Sequence, residues 1–112
     1  MATPLILNTD RGVDGTPRVT AAGEIDKTNV AVLTEALTTA SEGARRPITV
    51  DLSAVKYLDS AGVNVLFKHA NEIDRLHLIV HPFIFRILTI TGLNQLATVQ
   101  AAPAGAREDG DG

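Results

Sequence analysis

The 112-residue chain has no cysteine, no tryptophan and little aromatic character, since only 4% of its residues are Phe, Trp or Tyr. Without cysteine the protein has no disulfide, no cysteine-ligated zinc and no thiol redox chemistry. No apolar run approaches the ~20 residues that span a bilayer, and no basic segment precedes an apolar one at the N-terminus. These absences predict a soluble cytoplasmic protein that makes no membrane contact.

Positive charge is also scarce, with 10 Lys and Arg against 13 Asp and Glu and a formal net charge of −3. Such a balance excludes the basic surface that direct nucleic-acid binding requires. A hydrophobic fraction of 45% and a charged fraction of 21% are typical of a folded chain. The length suits one domain, predicted at residues 1–100, followed by a disordered acidic tail at residues 101–112.

Hydrophobic periodicity predicts alternating strands and helices. The predicted strands are residues 4–10, 18–23, 47–52, 77–81 and 97–100, and the predicted helices are residues 27–42, 60 to 75 or 76, and 83–91. This order, β-β-α-β-α-β-α-β, favours an α/β fold with a mixed, mostly parallel sheet of four or five strands that begins with a β-hairpin.

Side chains that can begin or end a helix stand at the predicted boundaries. Asp26 is a candidate cap for the first helix, and Ser60 is the predicted N-cap of the second. Gly43 and Gly92 follow the first and third helices, and Pro82 suits a first helical turn.

In a sheet of this kind, functional groups collect in the loops at the carboxyl ends of the parallel strands. Residues 23–26 and 58–62 are two such loops, and both are polar. Ser60 has two interpretations here. It can simply cap the helix, as most serines in this position do, or it can accept a phosphate, which a helix start tolerates. Beside Asp59 the added charge would strongly change the surface potential.

The stretch from Asp51 to Leu66, DLSAVKYLDSAGVNVL, resembles the signature of the STAS-domain anti-sigma-factor antagonists of bacterial partner-switching systems. Two weaker stretches agree in order and spacing: GEID at residues 23–26 and RILTITGL at residues 86–93. The resemblance covers nearly the whole chain, from about Leu5 to Val99.

The resemblance implies the STAS fold and a binding protein that is switched by phosphorylation. In its dephosphorylated form such a protein binds an anti-sigma factor, which then releases its sigma factor. The family's phosphoacceptor corresponds to Ser60. The anti-sigma factor is expected to be the serine kinase, using ATP, and a PP2C-type phosphatase would reset the switch.

Other residues of the predicted partner-binding and switch loop have two interpretations each. Asp26 matches an acidic residue that the family has near the phosphoacceptor, or it is a helix cap. Asp59 orients the serine hydroxyl, or it shapes the loop. Gly62 allows a close approach of the partner, or it allows helix packing. Ala61 and Asn64 complete the predicted loop.

No catalytic motif is present, so we expect neither enzymatic activity nor a cofactor. His69 lies too far along its helix to reach the serine. His77 and His81 would share a face and could hold a metal, but no third ligand accompanies them, so no metal site is predicted. The alternative function is a non-phosphorylated STAS subunit that binds a small molecule or a partner in lipid transport.

The chain departs from the family pattern at the third helix. His81-Pro82 stands where many members have Ser-Pro, which removes a hydroxyl cap. Residues 82–88, PFIFRIL, are apolar on more than one helical face. Phe83, Ile84 and Phe85 either pack in the core or form an exposed surface for a partner or a weak homodimer.

Overall fold

The computed structural model describes residues 4–43, 45–73 and 75–102, and within them it confirms the predicted order of elements. The elements are β1 (Ile6–Arg11), β2 (Pro17–Ile25), α1 (Val30–Ala40), β3 (Ile48–Leu58), α2 (Ser60–Glu72), β4 (Leu76–Val80), α3 (Pro82–Thr91), a short 3-10 helix (Leu93–Gln95) and β5 (Thr98–Ala101).

The five strands form one sheet in the order β1-β2-β3-β4-β5. β1 pairs with β2 in antiparallel fashion, and the other three pairings are parallel. Each parallel connection contains a helix, as parallel pairing requires. The predicted α/β class with a mixed sheet and an N-terminal hairpin is therefore confirmed.

One face of the sheet carries the hydrophobic core. Val19, Val50 and Leu78 lie side by side in the strand register and are fully buried. They belong to the same buried cluster as the inward residues of the three helices, which include Leu33, Leu37, Leu66, Ala70, Ile84 and Leu88. On the other face, Arg18 and its register neighbour Thr49 are only half-buried. The amphipathic alternation of the strands thus directs all three helices to a single core.

β3 is longer than predicted. It was expected to end at Leu52, but it continues to Leu58 along β2, whereas its pairing with β4 stops at Leu52. Two register shifts opposite β2 add residues to β3 and break the strict alternation of the strand. At the first shift, Asp51 Oδ1 accepts hydrogen bonds from the backbone N–H and the hydroxyl of Ser53, at 2.9 and 2.7 Å. Because of these shifts, residues 53–58 lack the alternation of a regular strand, and their sequence has the pattern of a polar loop.

The predicted boundaries of two helices were wrong. α1 begins at Val30 rather than residue 27, because the chain first makes a turn in which the Asn29 and Val30 amides donate to the Asp26 carbonyl. α2 ends at Glu72, and Leu76, which was expected to continue the apolar stripe of the helix, is the first residue of β4.

The start of α3 shows how the missing serine is replaced. His81 Nδ1 accepts the hydrogen bond from the Phe83 amide at 3.1 Å, with Pro82 in the first turn. The imidazole therefore caps α3 in place of a hydroxyl. At the other end, Gly92 has φ 87°, the left-handed conformation in which helices commonly stop at glycine.

The predicted tail begins too early. Ala101 is the last residue of β5, and Ala102 is buried, with its N–H donating to the Val80 carbonyl at 2.8 Å. Residues 103–112 lie outside the described part of the chain, so the prediction of a disordered acidic segment stays a prediction for them.

Candidate functional site

β2 and β3 are parallel neighbours, so their carboxyl ends lie at the same edge of the sheet, and the loops that follow them meet there. The pairing extends one step into the loops, because the Asp59 amide donates to the Ile25 carbonyl at 3.2 Å. The two polar segments that the sequence predicted as loops, residues 23–26 and 58–62, are therefore in contact, although residues 23–25 are the end of β2 and not a loop.

Asp59 joins these two loops through its carboxylate. Its Oδ1 accepts from the Gly62 amide at 3.1 Å, which makes it the N-cap of α2, and its Oδ2 accepts from the Lys27 amide at 3.2 Å. The prediction of Ser60 as the cap was wrong by one residue: Ser60 is the first residue inside the helix. Of the two roles considered for Asp59, the contacts support the shaping of the loop, since both carboxylate oxygens bind backbone amides.

Ser60 is exposed at the start of α2. Within the described residues its hydroxyl has no hydrogen-bond partner, so it is open to a modifying enzyme. Ala61 beside it is half-buried, and Asn64 lies exposed one turn further along the helix.

Asp26 lies at the other side of the junction and does not cap α1. Its Oδ1 accepts from the hydroxyl and the amide of Thr28, at 2.5 and 2.9 Å. These two hydrogen bonds, of which that from the hydroxyl has the larger effect, hold the pKa of Asp26 below its ordinary value. The carboxyl therefore stays ionised. Asn29 fixes the same loop by accepting from the Asp26 amide and donating to the Glu24 carbonyl.

Gly62 is a packing residue. A Cβ built at this position would lie 2.4 Å from Leu58 Cδ1 and 3.0 Å from Ile25 Cγ2. The glycine is buried, so the geometry favours helix packing over a close approach by a partner. It lets α2 begin directly against the ends of β2 and β3.

Sequence reasoning missed three residues at this edge. Lys27 and Asn29 hold the loop after β2, as described above, and Tyr57 is an aromatic side chain that is 50% exposed near the end of β3. Asparagine is a preferred N-cap residue, so the sequence could have indicated Asn29 as the residue before α1. Tyr57 was not predicted as part of the site because the end of β3 has the sequence pattern of a loop.

The three histidines are separated. His69 is buried, with Nδ1 3.0 Å from the Val65 carbonyl and Nε2 3.5 Å from Thr38 Oγ1. The ring of His77 contacts Gln100, and His81 caps α3. Among residues 4–43, 45–73 and 75–102, no group of three or more potential ligands is placed to hold a metal ion. In the same ranges no helix has the length and apolar character needed to cross a membrane.

Residues 8–100 match the family model described as "Mlab, STAS domain". The chain belongs to the STAS domain family. It is similar to the solved structure of an anti-sigma factor antagonist from Mycobacterium paratuberculosis, with a TM-score of 0.77 and 23% identity over 87% of this chain and 86% of that one.

Two structures of SpoIIAA also share the STAS fold with this chain. Unphosphorylated SpoIIAA, described as an anti-sigma factor antagonist, has a TM-score of 0.68 and 20% identity over 95% of this chain and 96% of that one. The phosphorylated form of the Bacillus cell fate determinant SpoIIAA has a TM-score of 0.65 and 18% identity over 96% and 100%. At these identities the likeness establishes the fold.

Proposed function

We propose that this STAS domain is an anti-sigma-factor antagonist that is switched at Ser60. Dephosphorylated, it binds an anti-sigma factor in the cytoplasm and causes the sigma factor to be released. The anti-sigma factor then transfers the γ-phosphoryl group of ATP to Ser60 Oγ, with ADP and a proton as the other products, and the complex separates. A PP2C-type phosphatase hydrolyses the phosphoserine. The antagonist itself performs no catalysis and needs no cofactor.

The observation that carries the proposal is the exposed hydroxyl of Ser60 in the first turn of α2. The surrounding loops are held by Asp59 and Asn29, so the hydroxyl is presented on a fixed surface. Similarity to anti-sigma factor antagonists supports the general role. The proposed partner surface consists of Asp26, Asp59, Ser60, Ala61, Gly62 and Asn64, with the buried Gly62 contributing through its backbone.

Charge explains how phosphorylation would end the association. A phosphoserine adds about −1.5 to −2 charges at neutral pH. At residue 60 that charge would lie beside the Asp59 carboxylate and near the loop of the ionised Asp26. The positive end of the α2 dipole favours an anion at the helix start, so the fold tolerates the group. The added negative charge is therefore concentrated at the proposed partner surface.

The test is the intact mass of the protein before and after incubation with ATP and the cognate anti-sigma kinase. We expect a gain of one phosphate that Ser60→Ala abolishes. Ser53→Ala is the matched control, because Ser53 lies on the preceding strand and its hydroxyl donates to Asp51. Absence of phosphate on the wild type, under conditions where the kinase modifies another antagonist, would refute the switch.

Binding gives a second readout. Calorimetry of the anti-sigma factor with Ser60→Glu should show a weakening of at least about tenfold, which corresponds to ~1.4 kcal/mol. Equal affinity for Ser60→Glu and the wild type would contradict the charge mechanism. Lipid that co-purifies in a native mass spectrum, together with no phosphorylation, would instead favour the role in lipid transport.

A further inference from the structure

α3 carries an exposed apolar stripe that the proposed switch does not use. The α3 stripe consists of Phe83, Ile87 and Ile90, which are 61%, 36% and 84% exposed. These positions are spaced i, i+4 and i+7, so they lie along one side of the helix. Three large hydrophobic side chains are therefore aligned in contact with solvent.

The stripe is not needed to attach α3 to the core. Ile84 and Leu88, on another side of the helix, are 2% and 0% exposed and belong to the central cluster. The sequence left open whether the apolar residues of this helix pack inside or lie outside. The structure divides them: Ile84 is buried, Phe85 is half-buried, and Phe83 is exposed.

The charge beside the stripe is positive. Arg86 is exposed and lies next to Phe83 and Ile90 on the helix surface, three residues after the first and four before the second. It is the only charged residue from Pro82 to Gln95, in a chain with a formal net charge of −3. An apolar surface with a single cation at its border is complementary to an amphipathic segment that carries carboxylates.

We propose that the α3 stripe is a docking surface for an amphipathic helix of a partner protein, with apolar residues over Phe83, Ile87 and Ile90 and an acidic side chain opposite Arg86. Apolar side chains at this spacing form the face with which one helix packs against another. None of the stripe residues belongs to the proposed Ser60 surface, so we expect docking here to be independent of phosphorylation. The inference does not depend on the proposed function.

A second copy of the chain fits the surface less well. A two-fold contact centred on Ile87 would bring the two Arg86 side chains together, and like charges in an interface are unfavourable. A stable interface also buries about 800 Å² on each partner. Three partly exposed side chains provide only part of that area. A partner with the opposite charge avoids the first difficulty, and the limited area suits the transient binding of a single helix.

The experiment uses the full chain and two synthetic helical peptides of about 18 residues. Both have leucine at i, i+4 and i+7; one has glutamates flanking the leucines and the other has lysines. Isotope-labelled protein is titrated and followed by NMR. We expect the glutamate peptide to shift the amide signals of α3, and Ile90→Glu and Arg86→Glu each to weaken its binding about tenfold or more. Arg86→Glu should also reverse the preference between the peptides.

Val32→Glu is the matched control, because Val32 is an apolar side chain on α1 that is 54% exposed. It should leave peptide binding unchanged, as should Ser60→Glu. Equal affinity for the two peptides, or no shift with the glutamate peptide, would overturn the proposal. Sedimentation equilibrium that shows a dimer lost in Ile90→Glu would assign the stripe to a second copy. Binding to anionic lipid vesicles that is lost in Ile90→Glu would assign it to a membrane surface.

Discussion

At the scale of single residues, Asp59 holds the candidate site together because a carboxylate has two oxygens. One oxygen caps α2 through the Gly62 amide, and the other binds the Lys27 amide in the loop after β2. An asparagine could make only one of these two contacts through its single oxygen. The proposed phosphoacceptor thus follows directly after the residue that fixes both loops.

Replacement of Asp59 tests this arrangement. Asp59→Ala should lower the free energy of unfolding by about 2 kcal/mol, because a cap and a loop hydrogen bond are lost. Asp59→Asn should cost about half as much. Urea unfolding gives the free energies, and amide hydrogen exchange should show faster exchange at both Lys27 and Gly62 in the alanine variant but at only one of them in the asparagine variant. Unchanged exchange at Lys27 in Asp59→Ala would refute the bridge.

The close packing at Gly62 leads to a separate prediction. Gly62→Ala should destabilise the protein by about 1–3 kcal/mol, because the methyl group would overlap Leu58 Cδ1 and press on Ile25. Asn64→Ala, at an exposed position on the same helix, is the control and should change stability by less than about 0.5 kcal/mol. The measurement is the urea midpoint. Equal stability of Gly62→Ala and the wild type would show that the helix shifts at no cost.

The sequence predicted the edge of the sheet where the polar segments meet more accurately than it predicted the contacts of the residues there. The order Asp59-Ser60 before an apolar helix identified the edge of the sheet, but either residue type can be an N-cap. Which of them accepts the amide depends on the backbone angles of β3, whose end has an irregular register. The packing role of Gly62 depends on Ile25, which is distant in sequence. Such roles require the tertiary contacts.

At the scale of elements, α3 was predicted well, and the end of β3 was not. α3 ends where it was predicted to end and begins one residue earlier, because Pro82 and Gly92 restrict the backbone locally. β3 was predicted too short because its register shifts disturb the period of two, which is the main signal for a strand. Local backbone restrictions can be read from a sequence, whereas register depends on the neighbouring strand.

Gly92 provides a test of the end of α3. It has φ 87°, and an added Cβ would meet no atom within 4 Å, so substitution affects the backbone conformation alone. Gly92→Ala should cost about 1–2 kcal/mol, the typical penalty for an L-residue in the left-handed region. Gly92→Asn should cost less, because asparagine tolerates this conformation. Thermal unfolding should rank the midpoints as glycine, asparagine, alanine; an alanine variant as stable as the wild type would contradict this account.

At the scale of the whole molecule, acid should remove stability that several carboxylates provide. The pKa of Asp10 is lowered by the hydrogen bond from Arg18, and that of Asp14 is lowered by the Thr16 amide. The pKa of Asp26 is lowered chiefly by the Thr28 hydroxyl. For each group the unfolded state binds its proton at a higher pH than the folded state does. The stabilisation is therefore present above the ordinary carboxyl pKa and is lost as the pH falls through the lowered value.

Thr28→Val separates the contribution of Asp26 from those of Asp10 and Asp14. Without the hydroxyl, the pKa of Asp26 should rise towards its ordinary value, and the free energy of unfolding should depend less steeply on pH below about pH 4. Carboxyl NMR titration measures the first effect, and urea unfolding at several acid pH values measures the second. Thr39→Val, at an exposed position on α1, is the control. If both variants kept the wild-type titration of Asp26, the Thr28 hydroxyl would not be the cause of the lowered pKa.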